Sequence, residues 1–209
     1  MRLNAFFWSS VMNSITNALH ATALFIYTYL VYAGLSRGAE HYTIWILLTF
    51  LTITVLKMLG IIVHIPAVEH NRRWHDIIWV VIAVGVTMLN AVTLQALRMP
   101  PSLLWTGTGI TAVLAGVFIW SLFQPGNGNF AYVAVAMVIV YTLCSVLTEG
   151  MVRLAWICLL LSNLAWPLLK LNRYLHEHKY HNDIYHILLI GSSYILFKSI
   201  ETGGWFAAF

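Results

Sequence analysis

Seven stretches of about twenty apolar residues limit what this chain can fold into more than any other feature: 14–34, 43–64, 76–97, 103–123, 129–148, 153–171 and 184–203. A helix needs ~20 mostly apolar residues to cross the hydrocarbon core of a bilayer. Inside lipid it satisfies its own backbone hydrogen bonds. The runs are continuously apolar and lack the two-residue alternation of a membrane barrel strand, which excludes a β-barrel. Charge content agrees: 9% of the 209 residues are charged, against about 25% in an ordinary soluble domain. The sequence therefore predicts an all-α polytopic membrane protein, a seven-transmembrane-helix bundle that occupies residues 1–209 as one domain. No repeat, low-complexity segment or soluble insertion interrupts it.

The first run has the length of a full span, carries Asn13, Ser14, Asn17 and His20, and lacks a small-residue cleavage site, so it reads as helix rather than leader. Cys144 and Cys158 both fall inside apolar runs and read as packing residues. The net charge of +4 is scattered along the chain, which excludes a nucleic-acid footprint. It is better read through topology. The side that holds the N-terminus collects Arg2, Arg72, Arg73, Lys170, Arg173 and Lys179, while Arg37, Arg98, Arg153 and Lys198 fall on the other. The positive-inside rule then places the N-terminus in the cytoplasm and the C-terminus outside. Breakers at Pro100-Pro101 and Pro125-Gly126 separate spans. Trp8, Trp45, Trp74 and Trp205 fit interfacial belts. Gly60, Gly85, Gly109 and Gly116 are predicted close-packing points, and Asn90 and Asn163 predicted interhelical hydrogen-bonding residues.

With seven spans, eight of the nine histidines fall on the N-terminal side, leaving His41 opposite. His64 closes the second span, Asp76 opens the third and His186 stands near the start of the seventh, with His20 two turns into the first. Ionisable groups embedded in apolar sequence are costly and are functional candidates by default. Imidazole with carboxylate suits zinc, and a site with an open position makes bound water a nucleophile. His70, His75, His176 and His178 lie in loops and read as wet interfacial residues. Spacing sorts the stretch HNDIYH, residues 181–186. Helical residues four apart share a face, whereas five apart they diverge by roughly 140°. Asn182 therefore shares a face with His186, Asp183 less closely, and His181 joins His186 only if it precedes the helix, with Asn182 or Asp183 as its cap. Lys57, seven residues before His64 and so on nearly the same face, is a candidate contact for a phosphate or carboxylate of a substrate, a proton-coupled residue, or a lysine that snorkels to the interface.

These residues carry a resemblance. A histidine ending helix 2 in GIIVH (60–64), an aspartate twelve positions on and the stretch DIYHILLIGSSYILF (183–197) resemble the CREST superfamily of alkaline ceramidases, adiponectin/progestin receptors and Per1-like proteins. NSITN (13–17) is similar to a helix 1 stretch of the ceramidases. The family pattern is Ser-x-x-x-His in helix 2, Asp in helix 3 and His-x-x-x-His in helix 7. Gly60 stands at the serine and Asn182 at the first helix 7 histidine, with His181 displaced by one.

The resemblance implies zinc held by His64 and His186, with His181 or His20 completing the three-histidine site, a bound water made acidic by the metal, and Asp76 as general base. The implied activity is hydrolysis of a lipid amide or ester, with His20, Lys57, Asn182 and Asp183 as substrate-binding candidates. The partner is then a membrane lipid, as substrate or ligand. Two other functions use the same residues: a non-catalytic lipid receptor or sensor on this scaffold, which Gly60 and Asn182 favour, and a proton-coupled or small-solute transporter.

Overall fold

The computed structural model describes residues 2–124, 129–178, 180–203 and 205, with the side chains of 2–10, 66 and 69 left aside. Pro125-Gly126, Lys179, and the side chains of Arg2 and Trp8 used above thus lie outside the described residues. The chain is all-α. Helices run as α1 (Arg2–Ser36), α2 (Ile44–Val63), α3 (Pro66–Glu69), α4 (Arg72–Ala96), α5 (Pro101–Leu122), α6 (Ala131–Leu147), α7 (Gly150–Leu171), α8 (Arg173–Glu177) and α9 (Tyr180–Glu201). Five of them, α1 from Val11, α2, α4, α5 and α7, are long and apolar enough to cross a membrane, so the protein is a multi-pass membrane protein. The apolar helix α6 is 17 residues long. α9 has the length of a span, 22 residues, but His186, Ser192, Ser193, Lys198 and Glu201 dilute its hydropathy.

The helix limits follow from local chemistry. Thr43 caps α2 by accepting from the Ile46 amide, and Asn71 caps α4 by accepting from Trp74. Pro101 begins α5, where its missing N–H is no loss. Each long helix packs on its sequence neighbour, and α9 returns to α1, which closes a ring in the order α1, α2, α4, α5, α6, α7, α9. Hydrogen bonds between hydroxyls stitch the ring where lipid offers no partner: Thr28 to Thr54 at 3.0 Å across α1 and α2, and Ser162 to Ser192 at 2.8 Å across α7 and α9.

Packing is uneven along the ring's axis. Near Trp205 the interior is solid: Phe50, Trp156 and Trp205 are fully buried, and the Trp205 ring lies 5.8 Å from Phe50 and 5.6 Å from Trp156. Tyr27 stacks on Phe197 at 4.9 Å in the same layer. A second apolar cluster, with Ile82, Val86, Phe118 and Val133, fills the α4–α5–α6 side. Between these layers and the end marked by His64 lies the cavity described below.

The glycines divide. Gly60 is a close-packing point, because a Cβ there would stand 3.1 Å from Asn17 Oδ1 of α1, and Gly85 is another, 2.6 Å from Leu56 Cδ2. Gly109 and Gly116 meet nothing within 4 Å, which corrects the expectation for both. Asn163 does bridge helices, but Asn90 is buried with no hydrogen-bond partner among the described residues, so it does not act as the predicted glue.

Candidate functional site

The site starts on α1. Asn13, Thr16, Asn17 and His20 recur at helical spacing and are all buried, so α1 turns a polar stripe toward the ring's interior rather than toward lipid. Across from it, α2 presents Lys57, Gly60 and His64, and α9 presents Asn182, Tyr185, His186 and Ser193. Together with α4, α6 and α7 they enclose a cavity of about 300 Å³. From Asn182 to Ser193 along α9 it runs about 16 Å, at 1.5 Å per residue.

The cavity has two unlike walls. One, from α1, α2 and α9, carries Asn17, His20, Lys57, His64 and His186. The facing one, from α4 and α6, is Ile82, Val86, Leu89, Ala134 and Met137, with Trp79 and Phe130 nearer the His64 end. Chambers of this kind, mainly apolar with a few convergent polar groups, are what small-molecule sites look like.

Hydrogen bonds hold the polar wall in place. Thr16 Oγ1 lies 2.9 Å from His186 Nδ1 and 3.1 Å from Asp183 Oδ1. Thr16 donates its one hydrogen to Asp183 Oδ1, with the Met12 and Asn13 carbonyls of its own helix as further acceptors at 3.2 Å, and so it accepts from the Nδ1–H tautomer of His186. That order leaves Nε2 as the acceptor nitrogen of His186. His20 is tied to Ser193 at 2.9 Å through Nε2, while its Nδ1 is buried without a partner among the described residues. Tyr185 donates to Asn163 Oδ1 at 3.0 Å, and Trp166 to Asn182 Oδ1 at 2.9 Å. Lys57 Nζ stands 5.5 Å from the Tyr185 ring centroid, within reach of a cation–π contact.

Placement of the sequence-predicted residues is mixed. His64, His186, His20, Lys57 and Asn182 line the one cavity. Asp183 is not among its lining residues and reaches it through Thr16. His181 is buried, but α9 begins at Tyr180, so it lies inside the helix, turned away from His186. Its Nδ1–H donates to the Leu175 carbonyl at 3.2 Å, and its ring faces His176 at 5.2 Å. The earlier helix start also removes Asn182 and Asp183 from the capping role expected of them. Asp76 lies more than one turn into α4, 3.6 Å from Arg72 Nε and 3.6 Å from His75 Nδ1, and outside the cavity lining.

That arrangement does not fit zinc on the expected ligands. A zinc site needs three or four donors converging at about 2.0–2.3 Å, and among the described residues no three histidine, cysteine, aspartate or glutamate side chains converge so. Gly60 also has a structural reason to differ from the family serine. A larger residue would press on Asn17 of α1, whose Oδ1 would stand 3.1 Å from a Cβ at this position.

Thr16, Asn17, Asn163, Tyr185 and Ser193 belong to the site and are missed by motif spacing. The α1 set was legible as a stripe at i, i+3, i+4 and i+7. Asn163 is legible as an interhelical hydrogen-bonding residue but not as part of a site, and Tyr185 and Ser193 carry no local signal, since only the α7–α9–α1 packing brings them together.

Residues 12–204 match the sequence pattern of a family of unknown function, DUF6962, and the chain belongs to that family. No curated protein and no solved structure matches it.

Proposed function

We propose that this member of the family is a seven-span membrane protein that holds one lipid-like amphiphile inside its ring of helices, in the manner of a receptor or sensor. In this reading α6 and α9 join the five longer apolar helices as spans, and the N-terminus is cytoplasmic. The observation that carries the reading is the two-faced cavity: an apolar wall for a chain and a polar wall for a head, inside a membrane protein. Interior polar groups in a membrane domain are costly unless used, and here the polar residues of three helices converge on one chamber. The topology is the one implied by the resemblance to the CREST scaffold. The hydrolase function implied by that same resemblance is supported less well, because Asp76 pairs with Arg72 and His181 faces Leu175.

Photo-crosslinking with an alkyl chain that bears a diazirine tests this on protein in native membranes. The label is expected on Val86, Leu89 and Met137, and should be lost in Met137→Trp, which fills the chamber. Labelling confined to the exposed Met58 and Met88, unchanged by Met137→Trp, overturns the reading. One zinc per chain, lost in both His64→Ala and His186→Ala, would establish the hydrolase instead.

A further inference from the structure

The polar wall specifies the sign of the head group. Lys57 lies about 10 Å deeper than His64 along α2, at seven residues and 1.5 Å each, well inside the span. It is the one lysine, arginine, aspartate or glutamate among the described residues that line the cavity. Among the described side chains the carboxylates elsewhere are committed or distant: Asp76 pairs with Arg72, Glu177 with Arg173, Glu201 with Lys198, and Asp183 accepts from Thr16. Glu40 and Glu149 are exposed on the polypeptide's outer surface. The Tyr185 ring at 5.5 Å gives the ammonium a partial partner through its π face, not a counter-charge.

A cation at this depth, facing an apolar wall, is balanced when an anion enters with it. Resting on the cavity reading above, we propose that the ligand is a single-chain amphiphile with an oxyanion head, carboxylate or phosphate, whose charge is met by Lys57. The chain lies along Val86, Leu89, Ala134 and Met137. Lys57 is thus the specificity residue.

The test uses the full chain in a neutral detergent and four probes with the same chain: palmitate, hexadecyl phosphate, hexadecanol and hexadecyltrimethylammonium. The two anions are expected to bind saturably, and about tenfold or more tighter than hexadecanol, as a charge-assisted contact requires. Whichever anion binds tighter identifies the head as carboxylate or phosphate, and either order agrees with the proposal. In Lys57→Met both anions should fall to the level of hexadecanol, with hexadecanol itself unchanged. Hexadecanol or the ammonium binding as tightly as the anions overturns the proposal, and so does an anion preference that survives in Lys57→Met. The wild-type comparison decides the matter even if that variant fails to fold. Failure of all four probes to bind overturns the cavity reading along with it, a result distinct from equal binding by all.

Discussion

Thr16→Val removes the oxygen that joins His186 to Asp183, and with it the bonds to the Met12 and Asn13 carbonyls of its own helix. Valine has the shape of threonine and a similar helix propensity, and Thr16 is only 6% exposed. The hydroxyl bridges His186 Nδ1 at 2.9 Å and Asp183 Oδ1 at 3.1 Å. Without it the imidazole N–H is buried with no acceptor, a loss of about 1–3 kcal/mol, and the half-buried carboxylate loses a charge-assisted bond. Polar contacts inside membrane proteins average only ~0.6 kcal/mol, because the denatured chain in lipid also finds partners. The stranded N–H is what lifts this site above that average, so the expected cost is about 1–3 kcal/mol. Thr22→Val is the control, since its exposed hydroxyl bonds only to the Ala18 carbonyl of its own helix; it should change stability by less than ~0.5 kcal/mol. Reversible unfolding in mixed micelles reads both variants, and a double-mutant cycle with Asp183→Asn should give a coupling of about 0.5–3 kcal/mol. Equal effects for Thr16→Val and Thr22→Val, together with zero coupling, would refute the relay.

Gly60→Ala should cost about 1–3 kcal/mol in the same assay, because its Cβ presses on Asn17 at 3.1 Å, whereas Gly109→Ala, with open space around it, should stabilise by about 0.5–1 kcal/mol. Trp205→Ala should cost about 3–5 kcal/mol by emptying the layer beneath the cavity, where the ring is fully buried and donates to Ser199 at 3.0 Å. Lys57→Met should stabilise the ligand-free protein, by ~1 kcal/mol or more, since it replaces a cation with no carboxylate beside it among the described residues by a chain of similar length; a lower melting temperature for the ligand-free variant than for wild type would contradict this.

Much of the bundle was legible because apolar run length is a physical requirement of lipid. The run 43–64 is α2 (Ile44–Val63), and 103–123 is α5 (Pro101–Leu122), each within two residues. The last helix was not legible in the same way. Its first turn, with His181, Asn182 and Asp183, looks like loop because polar groups there need partners, and sequence does not reveal that Leu175, Trp166 and Thr16 supply them. That shift of one turn is why His181 turns away from His186. His64 and His186 could be brought together from the helix count alone, since both sit near the same end of spans. Asp76 could not be placed so, because Arg72, one turn before it, draws its carboxylate aside. The polar stripe of α1 was visible in spacing, but its meaning depended on α9 closing the ring beside it.

Native mass spectrometry of the intact protein, released gently from detergent, addresses the ligand chamber most directly. One amphiphile per wild-type chain, absent from Met137→Trp and without stoichiometric zinc, is the result predicted. A wild-type chain that carries no amphiphile and holds one zinc ion would contradict it.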